Sequence, residues 1–123
     1  MFLLPIITIQ PVIAETQFMS PQLAFKPIVN TGSITIKIAT GYYLYQKRLQ
    51  VFDANTNKPL KFTILTKPIT KNFPSVPQAQ ILFVNEVNIK VSAAPKTNII
   101  LGYQGCSTQG ICYPPQRQKL TIK

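Results

Sequence analysis

The 123-residue chain has no histidine and no tryptophan, only two cysteines, and only three acidic residues, Glu15, Asp53 and Glu86. Each shortage excludes something. Without histidine there is no Ser-His-Asp or Cys-His pair and no imidazole ligand for a metal. Two cysteines and three scattered acids do not readily assemble a four-ligand metal site, and they supply paired-carboxylate hydrolysis poorly. Without tryptophan, the buried indole that packs on the inter-sheet disulfide of antibody domains is missing. What remains is binding, or chemistry that the two sulfurs perform by themselves.

Against the three acids stand 13 lysines and arginines, a formal net charge of +10. That balance favours anionic partners such as nucleic acid, acidic headgroups or an acidic protein face, although a basic surface also serves plain solubility. No RNP-type aromatic motif and no helix-turn-helix pattern is present, so no nucleic-acid partner is expected. Hydrophobic residues make up 46% of the chain, enough to fill one core at this length.

The opening "MFLLPIITIQPVIAETQ" is too short to span a membrane and is interrupted by Pro5 and Pro11. It resembles a signal-peptide apolar region, with Val12 and Ala14 at the two small-residue positions of a cleavage site. No Lys or Arg precedes Lys26, so the basic start of such a leader is absent. Residues 1–16 are read as signal-peptide-like and 17–123 as the domain, with a buried N-terminal strand as the alternative. An exported chain can keep a disulfide, and the even cysteine count agrees.

Period-two alternation dominates the rest. Ile34, Ile36 and Ile38 share one face of "SITIKIAT", and Leu60, Phe62 and Ile64 share one face of "LKFTILT". Val84 falls out of step with Val87, Ile89 and Val91, which predicts a bulge or bend near Asn85. "YYLYQKRLQVF", "TNIILGYQ" and "QKLTIK" supply further strands, the last with Leu120 and Ile122 facing in. Turn signals lie at 30–33, 53–59 and 93–98, and the spacing predicts an all-β, antiparallel sandwich of roughly seven strands. The proline-rich stretch 66–80, with one exposed-looking aromatic at Phe73, reads as a long loop.

Both cysteines fall in "YQGCSTQGICYPP", residues 103 to 115. A disulfide from Cys106 to Cys112 would close a loop of only seven residues. Such a loop removes little unfolded-state entropy, roughly 2.4 kcal/mol. Facing residues of a hairpin lie close enough to be bridged, and the bond could open without dismantling a sandwich core. Spacing alone slightly favours a structural crosslink. The surroundings favour a reactive pair: Gly105 and Gly110 permit close approach and a tight turn, and Tyr103 and Tyr113 can wall the sulfurs. Exchange needs an accessible attacking thiolate and a second local thiol to resolve the mixed disulfide.

This hairpin resembles the active-site hairpin of the N-terminal periplasmic domain of DsbD, the thiol:disulfide interchange protein family. "GYYLYQKRL", 41 to 49, and "QLAFKP" near the start resemble two further segments, so the likeness runs from about Gln17 to the end. It implies an immunoglobulin-like β-sandwich carrying its redox cysteines on a hairpin, with no cofactor. It also implies a periplasmic electron relay, in the manner of a protein-disulfide reductase. The donor would be a thioredoxin-like domain, itself reduced through a membrane-embedded domain in the same or another chain. The acceptors would be thioredoxin-fold periplasmic proteins, among them disulfide isomerases and a cytochrome c maturation factor. By the same resemblance Cys112 attacks and Cys106 resolves, Tyr43 and Tyr45 line the site, and Phe73 caps the sulfurs. Where the family carries acids in the cap loop, Lys71 and Asn72 stand here, which implies a more readily ionised Cys112. The alternative is an exported immunoglobulin-like binding module with an inert disulfide.

Overall fold

The computed structural model describes residues 19–74 and 76–123. The signal-peptide-like reading of residues 1–16 lies outside them. A single turn of helix, α1 (Pro21–Ala24), leads into eleven strands: β1 Phe25–Asn30, β2 Ser33–Ile38, β3 Tyr42–Tyr45, β4 Gln50–Asp53, β5 Phe62–Ile64, β6 Ile69–Lys71, β7 Gln80–Phe83, β8 Glu86–Val91, β9 Asn98–Tyr103, β10 Gly105–Ser107 and β11 Gln116–Thr121. A 3-10 turn, Gln46–Arg48, joins β3 to β4. Three antiparallel sheets result, with strand orders β1-β2-β8-β5, β10-β3-β7-β6 and β11-β9-β4.

Alternation decides which faces meet. Ile34, Ile36 and Ile38 of β2 and Val87, Ile89 and Val91 of β8 are buried, and they form one cluster with Val51, Ile99 and Leu101 of the third sheet. Leu44 and Phe83 extend that cluster from the middle sheet. Each such side chain stabilises the fold by about 1.5–3 kcal/mol through removal from water. Phe25 sits in the centre, fully buried, with Tyr42, Tyr103 and Tyr113 edge-on to its ring at centroid distances of 6.2, 6.0 and 5.8 Å.

The break foreseen near Asn85 is present, and its cause is a change of sheet. β7 ends at Phe83 beside β3, and β8 begins at Glu86 beside β2. Asn85 turns the corner with φ +68°, while its carbonyl accepts the Ile38 N–H at 2.8 Å. Two expectations need correction. Among the described residues the strands number eleven rather than roughly seven, because several are only three or four residues long and present no readable alternation. Stretch 66–80 is not loop throughout: Ile69–Lys71 pairs with β7, extending the sheet that carries the cysteine hairpin.

Candidate active site

β10 carries Cys106 and pairs with β3, so that Cys106 lies opposite Tyr43. Side chains on facing residues share a face, and so do positions two apart on one strand. Tyr43 and Tyr45 therefore stand on the cysteine side of β3, while Leu44 points into the main core. The result is a small second cluster of Tyr43, Leu82 and Cys106, bordered by Tyr45, Phe73 and Val84.

After β10 the chain reverses through Thr108–Gly110, where Gly110 takes φ +99°. The Ser107 N–H donates to the Ile111 carbonyl at 2.7 Å, and the Tyr113 N–H donates to the Gly105 carbonyl at 3.0 Å. These bonds flank Cys106 and Cys112 and leave the two as a non-hydrogen-bonded pair, the closer kind of antiparallel rung. Their Cα atoms are 3.9 Å apart, and the sulfurs are bonded. Gln104 steadies the hairpin base: its side-chain amide donates to the Tyr113 carbonyl at 3.0 Å.

The two sulfurs occupy unlike surroundings. Cys106 is fully buried, whereas Cys112 is exposed and borders a cleft of about 360 Å³ together with Tyr45, Lys47, Arg48 and Ile81. The Tyr45 hydroxyl lies 3.5 Å from the Cys106 sulfur, and with that sulfur oxidised only the O–H can donate. Tyr43 packs edge-on against Tyr45 at 5.6 Å and beside Phe73 at 5.7 Å. Burial, and then the neighbouring Tyr45 hydroxyl, push the Tyr43 phenol well above its usual range. Tyr43 thus stays neutral beside the sulfurs at any physiological pH.

Phe73 is half-buried over this cluster, and the Lys71 ammonium lies 5.6 Å from its ring centroid, within cation–π range. Tyr103 and Tyr113 stand apart from the sulfur cluster. Their rings pack on Phe25 in the main core, and the Tyr113 hydroxyl donates to the Met19 carbonyl. Burial raises both phenols, Tyr113 to about 12 with the Tyr42 hydroxyl contributing second. Gly105 serves the core as well: a Cβ there would fall 2.3 Å from the Tyr43 carbonyl and 2.5 Å from the Phe25 ring.

Sequence reasoning did not find the cleft or its cations. Lys47 and Arg48 follow Tyr45 by two and three residues, but the 3-10 turn that swings them beside Cys112 had no signature of its own. Among the described residues no group of histidine, cysteine or acid side chains could hold a metal.

Residues 14–123 match the family described as "Thiol:disulfide interchange protein DsbD, N-terminal". The chain is 32% identical over 113 residues to "Thiol:disulfide interchange protein DsbD 2" of Pseudomonas aeruginosa, a match covering 88% of this chain and 19% of that protein. It spans no more than about a fifth of the length of the curated relatives it matches first. The reduced form of the DsbD N-terminal domain from Neisseria meningitidis superposes with a TM-score of 0.66 at 24% identity, over 85% of this chain and 89% of that one. The same domain in complex with the PilB N-terminal domain gives 0.58 at 23% identity, over 84% and 85%. These two likenesses support the fold, an immunoglobulin-like β-sandwich. With the family match extending over nearly the whole chain, from the N-terminal approach through the cysteine hairpin to the last strand, the protein belongs to the family of DsbD N-terminal domains.

Proposed function

We propose that the domain passes electron pairs by thiol–disulfide exchange through a reversible Cys106–Cys112 bond. The observation that carries this reading is the asymmetry of the pair: one sulfur open at a cleft, its partner enclosed directly behind it. An attacking thiolate needs in-line access to one sulfur only, and here that sulfur belongs to Cys112.

Loading begins when a donor thiolate bonds to the Cys112 sulfur and the Cys106–Cys112 bond breaks. Cys106 leaves as thiolate, and the Tyr45 O–H is placed to stabilise that charge. The donor's second thiolate then attacks its own mixed-disulfide sulfur. The donor departs oxidised, and Cys112 leaves as thiolate, with two electrons now on the domain. Delivery reverses the order. The Cys112 thiolate attacks an oxidised partner, a partner thiolate leaves, Cys106 loses its proton and attacks Cys112, and the partner departs as a dithiol. Phe73 covers the cluster around Cys106, and Tyr43 and Tyr45 form its wall.

In the family setting the donor is a thioredoxin-like domain fed by a membrane-embedded one, and the acceptors are thioredoxin-fold proteins of the periplasm. The meningococcal relative, solved both reduced and in complex with the PilB N-terminal domain, supports a fold that accommodates the open bond and a partner domain.

Trapping tests the assignment. Cys106→Ala removes the resolving thiol, so Cys112 should accumulate stable mixed disulfides with oxidised partners, identifiable by mass spectrometry. Cys112→Ala should trap far less, because its remaining sulfur is enclosed. Equal trapping by both variants, or none by either, would refute the assigned roles.

A further inference from the structure

The cleft at Cys112 continues into a second one. The two meet at Arg48 and Gln104, and the second, of about 280 Å³, runs on to Arg117, whose guanidinium lies 5.3 Å from the Phe52 ring centroid. Three cations, Lys47, Arg48 and Arg117, thus follow one path leading away from the exposed sulfur. Among the described residues no carboxylate borders either cleft. The acids that are described are engaged elsewhere: Asp53 accepts the N–H groups of Asn55 and Thr56, and Glu86 pairs with Lys37 at 3.4 Å. Ile81, 40% exposed, adds apolar surface to the wall of the first cleft.

We infer that this groove selects partner proteins whose reactive disulfide is flanked by acidic side chains. The inference rests on the exchange function proposed above and adds the chemistry of the partner. Cations at the rim of an interface act on encounter and register, and here the register they set brings an acidic flank over the groove and its disulfide to Cys112. An anionic lipid surface would feel the same charge. It has no use, however, for a cation path that ends at a sulfur beside an apolar wall.

The test uses three probes against the reduced domain: hydroxyethyl disulfide, and two cystine peptides of equal length with glutamates or lysines flanking the disulfide. The acidic peptide should be reduced about tenfold faster than the basic one at low ionic strength, with the ratio falling toward one in high salt. The combined variant Lys47→Gln, Arg48→Gln, Arg117→Gln should lose most of that ratio. The equally charged variant Lys61→Gln, Lys90→Gln, Lys96→Gln, altered at exposed positions outside the groove, should keep it. The ratio is internal to each protein and so is insensitive to partial loss of fold. Equal rates for both peptides, with hydroxyethyl disulfide still reduced, would overturn the groove and leave exchange standing. Equal loss of the ratio in both variants would assign the effect to net charge and overturn the groove too. Binding to phosphatidylglycerol vesicles that disappears in the groove variant while the peptide ratio survives would assign the cations to lipid instead. Failure to reduce any probe would bring down exchange itself, and the groove with it.

Discussion

Cys106 and Cys112 face each other on one rung of a hairpin, yet Cys106 is fully enclosed while Cys112 is open to solvent. Reactivity follows access to the sulfur as well as its ionisation. In the reduced domain, iodoacetamide should therefore modify Cys112 at least about tenfold faster than Cys106. Peptide mass spectrometry after brief labelling reads the ratio directly.

Gly105 holds the hairpin against the core. A methyl group there meets the Tyr43 carbonyl at 2.3 Å and the fully buried Phe25 ring at 2.5 Å, and neither can withdraw cheaply. Gly105→Ala should cost about 3 kcal/mol, the upper end for overpacking. Urea denaturation of the oxidised proteins measures it as a lower midpoint with an unchanged slope.

Phe73 covers the sulfur cluster from a half-buried position, so its truncation should affect reactivity more than stability. Phe73→Ala should lose only about 1 kcal/mol of stability. Reduction of the disulfide by dithiothreitol should accelerate severalfold. Stopped-flow thiol kinetics beside a thermal melt separates the two effects.

Tyr43, Tyr103 and Tyr113 hold raised phenol pKa values, chiefly through burial, with Tyr113 near 12. In the unfolded chain a tyrosine ionises near 10. Between those values the folded state binds more protons than the unfolded state, so stability falls as pH rises. The contribution is complete below pH 10 and is lost progressively as pH climbs toward 12. The melting temperature should fall above pH 10 more steeply in the natural protein than in Tyr113→Phe. Absorbance at 295 nm should show these phenols titrating late.

The parts of the fold visible in the sequence were those with one face buried over several residues. Ile34, Ile36 and Ile38, and likewise Val87, Ile89 and Val91, alternate because every second side chain enters the core. β1 hid behind Pro27 and a mixed composition, β6 because all three of its residues are exposed, and β10 because three residues show no period. At the site, Tyr43 and Tyr45 were named by the family resemblance, and their spacing of two places both on the strand face that carries Cys106. Tyr103 and Tyr113 flank the cysteines in sequence but not in the sulfur cluster, for a topological reason. The chain changes sheet at Gln104: Tyr103 pairs with Gln116 of β11, while Gly105 pairs with Leu44 of β3. Adjacency along the chain is lost at that step.

The most direct test of the relay is the reduction potential of Cys106–Cys112, measured in dithiol buffers with circular dichroism followed in the same samples. A working pair on a scaffold independent of it should titrate above about −300 mV, with the β-sheet signal and tyrosine bands retained after reduction. A potential well below that value, or loss of the folded signal as the bond opens, would make the disulfide a structural crosslink and contradict the relay.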